Sequence, residues 1–194
     1  MANLGIKKLP KHNHIDIDIS SFIKGSGMQK KVLTEQSIYY GDISMPKHWE
    51  IDQNELAHHI LHSNLTNEEF PFSKTFDKLN TYIREHVNVE YGFNLINKKT
   101  WGDIYKPQEI SIPLLNIDPV DLRNSPDYTL LYGVKVEGCK VRIHYDDNRR
   151  KGRSWDIELK NNMFIMFPST NMYYITNNQK DSLNFILTIT NEFI

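Results

Sequence analysis

Along the chain the spacing of apolar positions changes twice. Ile15, Ile17 and Ile19 alternate with Asp16, Asp18 and Ser20, the period of two that marks a strand. Gly25-Ser26-Gly27 reads as a turn, and 32–41 reads as a second strand ending at Gly41-Asp42. The period then becomes helical. Residues 52–63 place Leu56, Ile60 and Leu61 on one face, behind Asp52, whose side-chain oxygen suits an N-cap. Pro71 breaks the chain. Residues 74–91 carry Phe76, Leu79, Tyr82, Ile83, His86 and Val87 at spacings of three and four, with Ser73 to cap the start and Gly92 to stop the end. Beyond Gly92 the period returns to two. Short apolar runs at 93–96, 109–115, 127–136, 139–145, 155–159, 163–167, 172–176 and 183–190 are separated by turn residues. Close-spaced short strands of this kind build a sandwich, barrel or jelly roll. The pattern predicts an α+β chain, with an arm over 1–31 and one domain over 32–194.

Composition narrows the class. The chain has 194 residues, 39% of them hydrophobic, which suits one soluble domain with an extension. Lys+Arg is 23 against Asp+Glu 24, a net charge of -1, so a dedicated nucleic-acid binder is not favoured. No apolar run approaches the roughly 20 residues that span a bilayer, and the opening MANLGIKKLPKHNH lacks a signal peptide's apolar stretch. The single cysteine, Cys139, excludes an intramolecular disulfide and any Cys-rich zinc site. A cytoplasmic, non-secreted protein without membrane contact is expected. Alanine occurs only at positions 2 and 57, while Asn, Ile, Lys, Tyr and Phe are common. Those common residues have AT-rich codons, which suits an AT-rich bacterium or phage.

Several pieces in the β-rich half occur in a familiar order. They are Trp101-Gly102-Asp103-Ile104-Tyr105, then Tyr128-Thr129-Leu130-Leu131-Tyr132-Gly133-Val134, then Asn162-Met163-Phe164-Ile165-Met166-Phe167-Pro168-Ser169, then Asn178, and finally 185–191. This series resembles the phage and marine-bacterial branch of the Fe(II)/2-oxoglutarate oxygenases, the Phe-Pro-Ser piece most specifically. The resemblance implies a double-stranded β-helix (jelly roll) with an N-terminal helical part and a β-core over about 93–194. It also implies a facial triad, in which two His and one carboxylate hold Fe(II) and leave positions for 2-oxoglutarate and O₂. A basic residue near the last strand would anchor the 2-oxoglutarate carboxylate.

At those positions this sequence departs from the family. The proximal His-x-Asp falls on Asn116-Ile117-Asp118, the distal His on Tyr173, and the anchoring Arg on Asn184, with Lys180 the nearest base. No His lies between 87 and 143 or after 144. An amide is a weak neutral ligand, and a phenol gives up its proton only at a pKa of about 10. Only Asp118 survives, so Asn116, Asp118, Tyr173 and Asn184 read as a retired site. Neither Fe(II) nor 2-oxoglutarate is then expected as a cofactor.

Other residues could carry chemistry. His144-Tyr145-Asp146 and His14-Ile15-Asp16 are His-x-Asp triplets without a downstream His. His58 and His62 stand one turn apart beside His59, the spacing of a helical zinc pair, but lack the Glu of a metalloprotease; a polar helix face is the plainer reading. His12-Asn13-His14 reads as a solvated tail. Cys139 reads as a core residue. Arg149, Arg150, Lys151 and Arg153, beside Arg142, form the densest basic feature and a candidate partner-binding turn; Asp146 and Asp147 partly neutralise it. The arm carries Lys7, Lys8, Lys11, Lys24, Lys30 and Lys31 and could order against a partner.

Three functions follow. The leading one is a non-catalytic oxygenase-like protein, phage-encoded, working as a structural or interaction module with protein partners or copies of itself, including virion components. The second is a diverged Fe(II)/2-oxoglutarate hydroxylase, with His144 or an N-terminal His beside Asp118. The third is a metal-free, cupin-like small-ligand binder with a pocket near Asn116, Tyr173 and Asn184.

Overall fold

Each helix starts where the sequence supplies a cap. In helix α1 (Gln53–Thr66), the Asp52 carboxylate accepts from the backbone N–H groups of Asn54 and Glu55 at 2.9 and 3.1 Å. It runs past the expected residue 63 and ends at Asn67, in the left-handed region at φ 55°. Helix α2 (Lys74–Tyr91) starts with the Ser73 hydroxyl accepting from Phe76 N–H and stops at Gly92, φ 75°. The computed structural model describes residues 36–44, 50–92, 94–145 and 152–194, and Gln36–Ile194 forms one unit. The arm, with its isoleucine alternation, its glycine turn and His14-Ile15-Asp16, lies outside the described residues.

Strand β1 spans Tyr39–Asp42, β2 Leu95–Tyr105, β3 Tyr128–Lys135, β4 Cys139–Tyr145, β5 Arg153–Leu159, β6 Met163–Pro168, β7 Tyr173–Asn177 and β8 Asn184–Phe193. They form a five-stranded sheet, β1-β6-β3-β8-β2, and a three-stranded sheet, β5-β4-β7, with every pairing antiparallel. The segment 109–114 adds to the smaller sheet beside β7. Ser111 N–H reaches Ile175 O at 2.8 Å, and Leu114 and Tyr173 exchange backbone bonds of 2.9 and 3.0 Å. It makes only isolated bridges, at Ile110 and Leu114. Pro113, without an N–H, interrupts the ladder expected over 109–115. From β2 onward the chain repeatedly crosses between the two sheets, the winding of a double-stranded β-helix.

The five-stranded sheet is apolar on both faces. On one, Leu130, Tyr132, Val134, Phe164, Met166, Leu187 and Ile189 meet Leu56, Ala57, Ile60, Phe76, Leu79, Ile83 and Val87 of the helices. Leu61, expected on that helical face, is 41% exposed, because the face runs through Leu56, Ile60 and Ser63 at steps of three and four. Between the sheets lie Leu131, Val141, Ile143, Ile157, Leu159, Ile165, Phe167, Ile175 and Ile186. Two glycines permit close approach. A Cβ on Gly102 would fall 2.3 Å from Ile60 Cγ1, and one on Gly133 would fall 2.1 Å from the Lys160 carbonyl oxygen. Among the described residues, no helix is long and apolar enough to cross a membrane.

Candidate functional site

Strand alternation decides which side chains face the space between the sheets. Gly102 and Ile104 of β2 face the helices, so Trp101, Asp103 and Tyr105 face the other sheet. By the same alternation Thr188 of β8, Thr129 of β3 and Tyr173 of β7 point inward.

At the Tyr173 end the two positions that the resemblance led one to expect as His come together. Asn116 Nδ2 donates to Tyr173 Oη at 3.0 Å and also lies 3.1 Å from Thr129 Oγ1. The Thr129 and Ser169 hydroxyls share a further bond of 2.9 Å. Tyr173, Thr129 and Ser169 are buried. One amide thus joins the segment beside β7 to β3, and the two sheets to each other. Burial pushes the Tyr173 phenol well above its ordinary pKa, which holds it neutral.

Asp118 does not join this group. It is exposed, its carboxylate accepts from Val120 N–H at 2.8 Å, and its own N–H donates to Ser125 Oγ at 2.8 Å. It holds the turn that leads into the 3-10 helix Leu122–Asn124.

Asn184 serves the opposite end. Fully buried, it accepts from Glu137 N–H at 2.9 Å and donates to Glu137 O at 3.1 Å, pinning the β3–β4 turn. Buried Asn177 donates to the carbonyls of Tyr105 and Ser182, and Asn178 donates to Gly138 O. These asparagines close loops against backbone. Asn184 does not share a bonded group with Asn116 and Tyr173.

One inward acid escaped the sequence reading. Asp103 accepts from Thr188 Oγ1 at 3.2 Å, and Trp101 also donates to it. Burial raises its pKa above the ordinary carboxylate value. Its signal was the Trp101-Asp103-Tyr105 alternation, in which a charged residue occupies an otherwise aromatic row.

The remaining candidates are scattered. His144 lies on the outer face of the smaller sheet, its ring 5.2 Å from that of Tyr174, away from Asp118. His58 and His62 are exposed, His62 sits 3.7 Å from Glu68, and His59 leans on Phe70. Arg142 is held by Asp156 through a two-pronged pair of 2.7 and 2.9 Å. That hydrogen-bonded guanidinium holds the exposed Asp156 carboxyl below its usual range. Arg153 begins β5, while Arg149, Arg150 and Lys151 lie outside the described residues. Cys139 is buried between the sheets, and burial pushes its thiol up to about 12. Among the described residues, no group of three or more His, Cys, Asp or Glu side chains could hold a metal ion.

No protein-family model matches the chain, and no curated protein matches it. Solved structures do. A Pseudomonas putida prolyl-4-hydroxylase superposes with a TM-score of 0.56 at 12% identity, over 80% of this chain and 87% of that one. The non-heme alpha-ketoglutarate-dependent epimerase SnoN, from nogalamycin biosynthesis, gives 0.57 at 9%, over 80% and 77%. AviO1 of Streptomyces viridochromogenes gives 0.56 at 9%, over 81% and 90%. The chain therefore has the jelly-roll fold of the 2-oxoglutarate oxygenases, and identities this low establish the fold alone.

The iron and keto-acid implied by that fold do not fit the residues present at the family positions. Asn116 and Tyr173 are neutral and bonded to each other, and Asp118 is turned into a loop. Among the described residues no lysine or arginine is buried, so none of these stands between the sheets to pair with a dicarboxylate.

Proposed function

We propose that this chain is a non-catalytic oxygenase-fold protein that works by contact, as a structural or interaction module of phage origin. The observation that carries the reading is the Asn116–Tyr173 hydrogen bond. The two groups that would have to hold a metal are instead each other's partners, and the network continues through Thr129 to Ser169. The phage origin draws support from the resemblance and from the AT-rich residue usage.

The test is a titration of the full chain with Fe(II) or Mn(II), with and without 2-oxoglutarate and without oxygen, reading melting temperature and bound metal. A ligand at 100 times its dissociation constant stabilises by about 2.7 kcal/mol, a clear melting shift. The expected result is no shift and no retained metal. A shift that needs metal and keto-acid together overturns the reading and installs the hydroxylase. The contact role is tested separately, by sedimentation of the chain alone and with phage particles. A monomer absent from particles overturns it.

A further inference from the structure

β2 is the outermost strand of the larger sheet among the described residues. Its pairing with β8 shows which way its backbone points. Ile194 N–H donates to Asn94 O at 3.1 Å, so the even-numbered residues of β8 face β2. Past the irregularity between Asn97 and Lys99, those residues stand opposite Lys99, Trp101 and Asp103. The backbone groups of Thr100 and Gly102 therefore point away from the sheet. Gly102 O, turned outward, accepts from Asn64 Nδ2 at 2.8 Å, and the same amide donates to Ile60 O at 2.9 Å. The N–H and C=O of Thr100 and the N–H of Gly102 meet no strand among the described residues. They open on a groove of about 650 Å³, with β2 from Asn97 to Asp103 as its near wall and the end of α1 and the 68–72 loop as its far wall. That stretch of strand spans roughly 20 Å, the length of an extended peptide of about six residues.

The walls also carry charge. The cations of the near wall are engaged already: Lys98 Nζ donates to Asn124 O at 2.7 Å and lies 3.7 Å from Glu192, and the Lys99 ammonium stands 5.7 Å from the Trp101 ring centre. The acids are less so. Asp103 accepts from neutral donors, the Thr188 hydroxyl and the Trp101 side chain. Glu68 has the exposed His62 at 3.7 Å, and no cation pairs with Glu69 among the described residues. Phe70 and Phe72 complete the far wall, Phe72 with 76% of its surface exposed.

We propose that the outer edge of β2 is a contact surface for an extended segment of a partner protein, basic and aliphatic in composition, which adds to the larger sheet as a sixth strand. Unpaired donors and acceptors on an edge are the template for such an addition. Main-chain bonds to Thr100 and Gly102 hold the segment in place. Its aliphatic side chains cover the phenylalanines, and its lysine or arginine side chains answer Glu69 and Asp103. The far wall leaves room for one chain and shuts out the edge of a second copy's sheet, whose own covering helices would strike it. The proposal rests on the contact reading above and names its surface.

The test titrates the full chain with two end-capped peptides of about six residues, one alternating valine and lysine, the other valine and glutamate, and follows the Thr100 and Gly102 amides by NMR. The valine–lysine peptide is expected to bind about tenfold more tightly than the valine–glutamate one, to move both amides, and to weaken as salt rises. Glu69→Lys is expected to narrow that preference. Thr100→Pro deletes an outward N–H and leaves the ladder to β8 intact, and binding is expected to fall about tenfold. Should that variant not fold, a valine–lysine peptide N-methylated at alternate residues decides on the wild type, since it keeps the side chains and loses the backbone donors. Its failure to bind sustains the proposal. Equal binding by the methylated peptide, an unchanged affinity in a folded Thr100→Pro variant, or no binding of the valine–lysine peptide overturns it. Those outcomes strike this surface alone, whereas retained metal and keto-acid strike the contact reading.

Discussion

The two ends of the sandwich are sealed by the same residue type in opposite ways. At the Asn177 end, Asn177, Asn178 and Asn184 bond to backbone, to Tyr105 O, Ser182 O, Gly138 O and both polar groups of Glu137. At the Tyr173 end, Asn116 bonds to side chains, and its partners bond onward to others. A backbone partner is present whatever the neighbouring residue is, so that end tolerates drift in sequence around it. A side-chain network holds only while every member is kept, because a lost member leaves a buried polar atom unmatched. The comparison teaches that one residue type can close a sandwich either against backbone or as a side-chain joint between sheets.

Breaking the backbone-directed seal has the largest expected effect. Asn184→Ala removes two bonds to Glu137 from a buried position and frees the β3–β4 turn. Urea unfolding is expected to show a loss of about 2 kcal/mol. At the other end, Tyr173→Phe deletes the phenol and leaves Asn116 its contact with Thr129. That loss is expected to be about 1 kcal/mol, and a value equal to that of Asn184→Ala would erase the contrast between the ends. The smallest effect belongs to a site outside both seals. Arg142→Ala breaks an exposed pair with Asp156, and the melting temperature is expected to stay unchanged within error. Acid titration of Asp156 sharpens the point: in the wild type its carboxyl protonates below the usual range, and in the variant the midpoint rises toward the ordinary value.

Much of this architecture could be read from residue spacing, and the exceptions have causes. Asp52, Ser73 and Gly92 cap the helices as their chemistry requires, since a cap is a local event. β4 spans 139–145 as its alternation indicates. β2 runs from 95 to 105, whereas apolar spacing alone gave 93–96. Lys98, Lys99 and Asp103 break its apolar pattern, and Gly102 carries no side chain to register one. Only the likeness of Trp101-Gly102-Asp103-Ile104-Tyr105 to a family strand marked it. The pairing of Asn116 with Tyr173 spans 57 positions and was legible only because a fold was assumed. The inward course of the Asp103 side chain was not legible, because whether a carboxyl points to water or inward depends on a sheet that closes far along the chain. Asn184, expected where the keto-acid anchor would stand, gave no sign in the sequence of its bonds to Glu137.

The lone thiol has a consequence for the protein's life in a redox-active environment. Cys139 is fully enclosed and its proton is held up to about 12, so oxidants and alkylating agents meet no thiolate on the native chain. A disulfide-linked pair of chains would be a scar of unfolding rather than a mode of assembly. Covalent dimer on a non-reducing gel is therefore a record of how many molecules have been opened since they were made.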